Sequence, residues 1–136
     1  MSDPALGLRF EVVIDDVELG AFTECEGLAA EYEIHEYEEG GQNSYVHKLP
    51  GRLKFPTIRL TRAVDEKSKK LAKWFTSVQG SGRKTGSITA LNSAGEEVAR
   101  WQLIGIYPAR WIGPSFSVLG GAVAKESLEL AHNGFM

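Results

Sequence analysis

The sequence predicts a mainly β fold: two packed antiparallel sheets, sandwich or barrel-like, with one flanking α-helix. Three observations carry that expectation. Several segments alternate polar and apolar residues with a period of two, fifteen glycines punctuate the chain, and only one segment, about 66–79, has helical spacing. At 136 residues, folding buries roughly 68% of the unfolded chain's surface around one core, so a single domain spanning 1–136 is expected.

The first two strands are Leu8 to Ile14, dense in β-favouring residues, and Val17-Glu18-Leu19-Gly20. Asp15-Asp16 breaks the run between them and predicts a hairpin. After Gly27 the segment Glu31 to Glu38 alternates almost strictly. It sets Tyr32, Ile34 and Glu36 on one face and Glu31, Glu33, His35 and Tyr37 on the other, a strand wet on at least one side. Gly40-Gly41 ends it. Gln42 to Lys54 reads as an irregular connection with a turn at Pro50-Gly51, and a connection of that length inside a small domain usually has a function. Strand character resumes from Pro56 to Val64, where Ile58, Leu60 and Arg62 share one face and Thr57, Arg59 and Thr61 the other.

The helix follows. Asp65 is placed to cap its start and Gly80 to close its end, with Leu71, Trp74, Phe75 and Val78 on one stripe facing a sheet. Lys67, Lys69, Lys70 and Lys73 occupy the opposite surface and read as its solvated face. Ser87 to Leu91 and Glu97 to Tyr107 then form a hairpin around Asn92-Ser93-Ala94-Gly95, with Trp101, Leu103 and Tyr107 on one face. Pro108 to Pro114 reads as a loop holding Trp111, and a last strand runs from Val123 to His132. The expected order is four strands, one helix, three strands.

Chemistry is hard to place on this chain. With 15 basic and 18 acidic residues the net charge is −3, which gives no footprint for sequence-specific nucleic-acid binding. His35, His47 and His132 are scattered, Cys25 is alone, and neither a nucleophile with its base nor a cluster of metal ligands is apparent, so no catalytic, cofactor or metal residues are assigned and no enzyme is expected. The glutamates of 31–39 alternate with Tyr and Ile as a solvent-facing strand does, which argues against a paired-carboxylate site. Gly80 to Gly86 lacks the spacing of a phosphate loop and follows a helix rather than opening one. A single cysteine, no signal-like start and no apolar run of ~20 residues lead to the expectation of a chain made in a reducing cytosol with no membrane span.

A long connection and strands with mixed outer faces point instead to assembly with other copies. The ordered pieces that carry a resemblance are Glu26-Gly27-Leu28, Glu36-Tyr37, Gly40-Gly41, Asn43, Tyr45, Lys48 and Pro50-Gly51. They are followed by Ile58-Arg59-Leu60-Thr61-Arg62, Trp74, Trp101, Pro114-Ser115-Phe116 and the stretch from Glu126 to Phe135. In that order, nearly end to end, the chain resembles the inner tail tube proteins of contractile phage tails and of extracellular contractile injection systems.

The resemblance implies the tail tube fold, hexameric rings stacked into a hollow tube, and a sheath whose contraction drives the tube through a target envelope. It implies as partners the chain itself, a sheath protein, the baseplate hub and spike, a terminal cap, and protein or DNA cargo in the lumen. Assembly would occur in the bacterial cytoplasm, within a virion tail or an injection particle that can be released. The segment of about 40–54, with Gly40, Gly41, Gln42, Asn43, Tyr45, His47, Lys48, Leu49 and Pro50, would reach adjoining subunits and rings. Alternation makes Glu31, Glu33, His35, Ser87, Thr89, Arg100 and Gln102 candidates for a polar lumen wall, and Leu71, Trp74, Phe75, Val78 and Trp101 the helix-to-sheet core. Rival readings are a tube-initiating baseplate ring, a secreted ring-forming carrier subunit, and a small β-barrel enzyme or ligand-binding module.

Overall fold

Positive φ angles mark a two-aspartate turn and a glycine inside the longest described strand, two places where the alternation of the strands is interrupted. The computed structural model describes residues 7–37, 47–114 and 124–136. Strands β1 (Arg9–Ile14) and β2 (Val17–Phe22) are joined through Asp15 and Asp16, both at positive φ (50° and 65°), the geometry of a two-residue turn whose twist matches that of the strands. Then come β3 (Glu24–Glu26), β4 (Glu31–Tyr37), β5 (His47–Lys54), β6 (Ile58–Ala63), α1 (Ser68–Ser77), β7 (Lys84–Leu91), β8 (Glu97–Ile112), β9 (Lys125–Ala131) and β10 (Gly134–Phe135). All pairings are antiparallel. One sheet runs in the order β2-β1-β7-β8-β9-β6-β3, with β10 on β8, while β4 and β5 form a second, two-stranded sheet. Among the described residues the chain is thus mainly β with one helix, in two antiparallel sheets, and no barrel closes.

The large sheet folds over its own core because β8 serves both halves, pairing with β7 along its first part and with β9 along its last. Val12, Ile14, Phe22, Ile88 and Leu103 from one half meet Ile58, Leu60, Leu128 and Leu130 from the other in one buried cluster. Each such side chain contributes about 1.5–3 kcal/mol when fully buried. Helix α1 inserts Leu71 and Trp74 into this cluster, and Phe75, Val78 and Trp101 pack against it half-buried.

Several expected boundaries move. Helix α1 spans Ser68–Ser77 rather than 66–79, because Asp65 holds a turn first: its carboxylate accepts the Lys67 N–H at 2.8 Å and Ser68 Oγ accepts the Asp65 N–H at 3.1 Å. His47–Lys54 is strand and not irregular connection, since β4 offers a free edge for it to pair with. Pro108–Ile112 is the end of β8 and not a loop, because β9 satisfies its backbone groups. Tyr107 does not share the face of Trp101 and Leu103. Gly105 at φ +63° inserts a bulge, after which Ile106 and Pro108 turn inward and Tyr107 outward. A Cβ on Gly105 would collide with the Asn133 side chain, so at this positive φ a larger residue fits only if Asn133 gives way.

Candidate assembly surfaces

The outer face of β1, β7 and β8 holds a polar patch assembled by register, flanked on β8 by the exposed Val98 and Ile104. Ser87 lies opposite Gln102 and Thr89 opposite Arg100, while β1 brings Val13 and Glu11 alongside Ser87 and Thr89. Arg100 and Gln102 are exposed and Ser87 and Thr89 half-buried. Toward the Asp15-Asp16 turn the patch deepens into an open depression of about 320 Å³ bordered by Asp15, Asp16, Ser87, Arg100 and Gln102. The opposite faces of the same strands enter the core. Four of the seven residues expected on a polar wall are therefore neighbours.

The other three, Glu31, Glu33 and His35, sit on the second sheet. There Lys54 Nζ lies 2.6 Å from the Glu33 carboxylate and, chiefly by that hydrogen bond and its charge, holds the Glu33 pKa below the usual range. The β4–β5 hairpin stands apart, its two strands packing chiefly on each other. Tyr32 lies opposite Leu53 and Ile34 opposite Pro50, yet Tyr32 is 58% and Ile34 56% exposed, and Leu49 and Leu53 are exposed as well. Strands of this kind normally bury one face; among its described side chains this pair buries neither. Leu49 and Pro50 belong to β5, as do the backbones of His47 and Lys48, whereas Gly40, Gly41, Gln42, Asn43 and Tyr45 lie outside the described residues.

A buried ionic cluster was not anticipated from the sequence as a site. Arg62 and Glu126 face each other across β6 and β9, 3% and 1% exposed, with Nε to Oε2 at 3.2 Å. Arg62 Nη1 also donates to the Leu19 carbonyl at 2.9 Å, and its guanidinium lies 4.6 Å from the centre of the Phe22 ring. Gly20 leaves room for it: a Cβ there would meet Nη1 at 2.7 Å. Glu126 accepts from Ser68 Oγ and, at 3.1 Å, from Trp111 Nε1. The cluster ties β2, β6, β8, β9 and the start of α1 together. Its sequence signal was Arg62 on the same face as Ile58 and Leu60.

Other polar groups have structural surroundings. Burial, with a smaller contribution from Glu26, raises the Cys25 thiol pKa to about 11, which leaves little thiolate at neutral pH. His132 is buried between Phe55 and Phe135, its Nδ1 accepting from the Gly134 N–H at 3.1 Å and its Nε2 without a hydrogen-bond partner among the described residues. Among the described residues no group of three or more His, Cys, Asp or Glu is placed to hold a metal ion. No helix among them is long and apolar enough to cross a membrane.

Among the described residues, a sheet with polar groups on its outer face, unpaired edges at β2 and β3 and a hairpin that buries neither side defines a structural β subunit suited to associate. The T4-like virus tail tube protein gp19 family model matches residues 7–136, and the chain belongs to that family, which is one of structural tube proteins and not of enzymes. Among solved structures, the chain is similar to one in the PVC sheath-tube complex of an extracellular contractile injection system in its extended state. Identity is 27%, with 94% of this chain and 86% of that chain covered and a TM-score of 0.74. It is similar also to a chain in the tube-terminating cap of the anti-feeding prophage, at 26% identity over 94% and 86% of the two chains and a TM-score of 0.73. A chain of the anti-feeding prophage baseplate, 6-fold symmetrised, shares the fold at 21% identity, 100% and 96% coverage and a TM-score of 0.74. No curated protein sequence matches the chain.

Proposed function

We propose that this protein is the repeating subunit of the inner tube of a contractile particle, six copies forming a ring and rings stacking into a hollow conduit. The observation that carries the reading is the β4–β5 hairpin, whose Tyr32, Ile34, Leu49 and Leu53 are exposed on a projection with no core of its own. Apolar side chains on such an arm gain about 25 cal/mol per Å² only when another surface covers them. The sheet ends at β2 on one side, so a neighbouring copy can extend it edge to edge and close a ring. In that ring the patch of Ser87, Thr89, Arg100 and Gln102 lines the bore, its polar groups offering protein or DNA cargo a surface rich in hydrogen-bonding and charged groups. Glu31, Glu33 and His35, on the separate hairpin, belong to the contact between copies rather than to this wall. A sheath outside, a baseplate hub with its spike below and a cap above complete the particle, which assembles in the bacterial cytoplasm.

Removing residues 42–48 tests the reading. The shortened chain is expected to keep the circular dichroism and melting temperature of the parent, because the buried cluster of the described residues lies in the large sheet and α1, and to form no tubes in electron micrographs. Normal tubes from the deletion would overturn the role assigned to the arm.

A further inference from the structure

The last residues of the chain are held by a histidine as much as by a strand ladder. Strand β10 has 2 residues and lies on β8 with Gly134 opposite Ile104 and Phe135 opposite Leu103. Backbone bonds flank it, from the Asn133 N–H to the Ile104 carbonyl at 2.8 Å and from the Met136 N–H to the Gln102 carbonyl at 2.9 Å. Between them the Gly134 N–H turns back and donates to His132 Nδ1 at 3.1 Å. The His132 ring packs on Phe135 and Phe55, with centroids 5.2 and 5.3 Å away, and those two rings also touch each other. Phe55 covers Gly134, where a Cβ would come within 3.1 Å of its ring. Since Phe55 directly follows β5, this aromatic cluster is also the footing of the β4–β5 hairpin on the large sheet.

The cluster suits one protonation state of the ring. Nδ1 accepts a hydrogen bond and so carries no proton; the proton of the neutral ring is on Nε2, which is buried without an acceptor among the described residues. A second proton has to go to Nδ1, where it meets the Gly134 N–H donor to donor. The resulting charge would sit on a residue 6% exposed, between aromatic rings. The ion pairs of the described residues give His132 no carboxylate. On the adjoining turn the charged group is Arg83, of the same sign, its Nη1 donating to the Gly105 carbonyl at 2.8 Å and to Asn133 Oδ1 at 3.4 Å. Lys54, next to Phe55, is paired with Glu33. Burial accordingly holds the pKa of the ring below the ordinary 6.5.

We propose that His132 is an acid-operated latch: on protonation it lets go of the Gly134 N–H and releases Gly134–Met136 from β8 while the large sheet stays folded. The release is local because short terminal strands open at far lower cost than core strands. Its sign follows from linkage. The latched ring resists the proton, and the released ring takes it up with ordinary affinity. The latch is therefore shut above about pH 6.5 and opens as the pH falls toward the lowered latched value, the open-to-shut ratio rising by up to about tenfold per pH unit. Opening bares the β8 edge from Gln102 to Ile104, takes Met136 from the rim of the depression it shares with Arg100 and Gln102, and loosens the Phe55 footing of the hairpin. Every group involved belongs to one chain, so the latch stands apart from the ring reading.

The test is amide hydrogen exchange of the full chain between about pH 5 and 7.5, around the ordinary histidine value, corrected for the intrinsic pH dependence of exchange. Mass spectrometry reads a peptide covering β10 and, as internal reference, one covering β6. Protection of β10 is expected to fall by up to about tenfold per pH unit below about pH 6.5 while that of β6 holds, and His132→Phe is expected to make β10 protection independent of pH. Protection of β10 that is flat with pH in the unsubstituted chain, or that falls in step with β6, overturns the latch. The same fall in His132→Phe overturns the role of the histidine. A second measurement needs no substitution: in an NMR titration the His132 ring signals are expected to move with the same midpoint as the Met136 amide, and different midpoints overturn the coupling.

Discussion

Arg62 and Glu126 occupy positions that alternation assigns to the core, where their side chains are paired with each other and with Leu19, Ser68 and Trp111. Removing one member leaves the other buried and unpaired, so Glu126→Ala is expected to lower unfolding free energy by about 3–5 kcal/mol, measured by urea denaturation. Replacing both together, Arg62→Met with Glu126→Leu, is expected to cost far less, which separates the penalty of an orphaned charge from the worth of the pair. His132 gives the fold a pH dependence of definite sign. Burial lowers its pKa from the ordinary 6.5, so below about pH 6.5 the unfolded chain binds a proton that the folded chain resists. The stability due to neutral His132 is therefore full above that pH and is lost as pH falls toward the lowered folded value. His132→Phe is expected to flatten this slope in melts between pH 5 and 7.5, a range chosen around the ordinary histidine value.

At the level of elements, the long strand β8 shows how one residue reassigns many. A strict period of two sends Trp101, Leu103 and Tyr107 to one side, and that holds until Gly105, whose positive φ moves the inward set to Ile106 and Pro108. Gly105→Ala is expected to cost at least about 1–2 kcal/mol from backbone strain alone, with more from the clash at Asn133, and to lower the melting temperature accordingly. The β4–β5 hairpin illustrates the converse. Its first strand was legible because Glu31 to Tyr37 alternates cleanly, whereas Lys48 to Lys54 contains Pro50 and Gly51, residues that ordinarily argue against a strand. They are tolerated because β5 is an edge with a register shift at that place, where neither a full ladder nor a side chain is required.

For the whole molecule, the identity of most strands, the single helix with its Leu71 and Trp74 stripe, and the kinship with tail tube proteins could all be read from residue order. They depend on local periodicity and on turn residues such as Asp15-Asp16, which act over a few positions and leave a visible pattern. What required the fold was everything decided by partners distant in sequence. Ser87 and Arg100 become part of one polar patch through strand register, while Glu31 and His35, equally polar and equally alternating, fall on another sheet. Trp111 reads as a loop residue until Glu126 and β9 claim it. Periodicity tells which side of its own strand a residue occupies; which other side chains share that side is set by pairings across dozens of residues, and only the folded chain makes them.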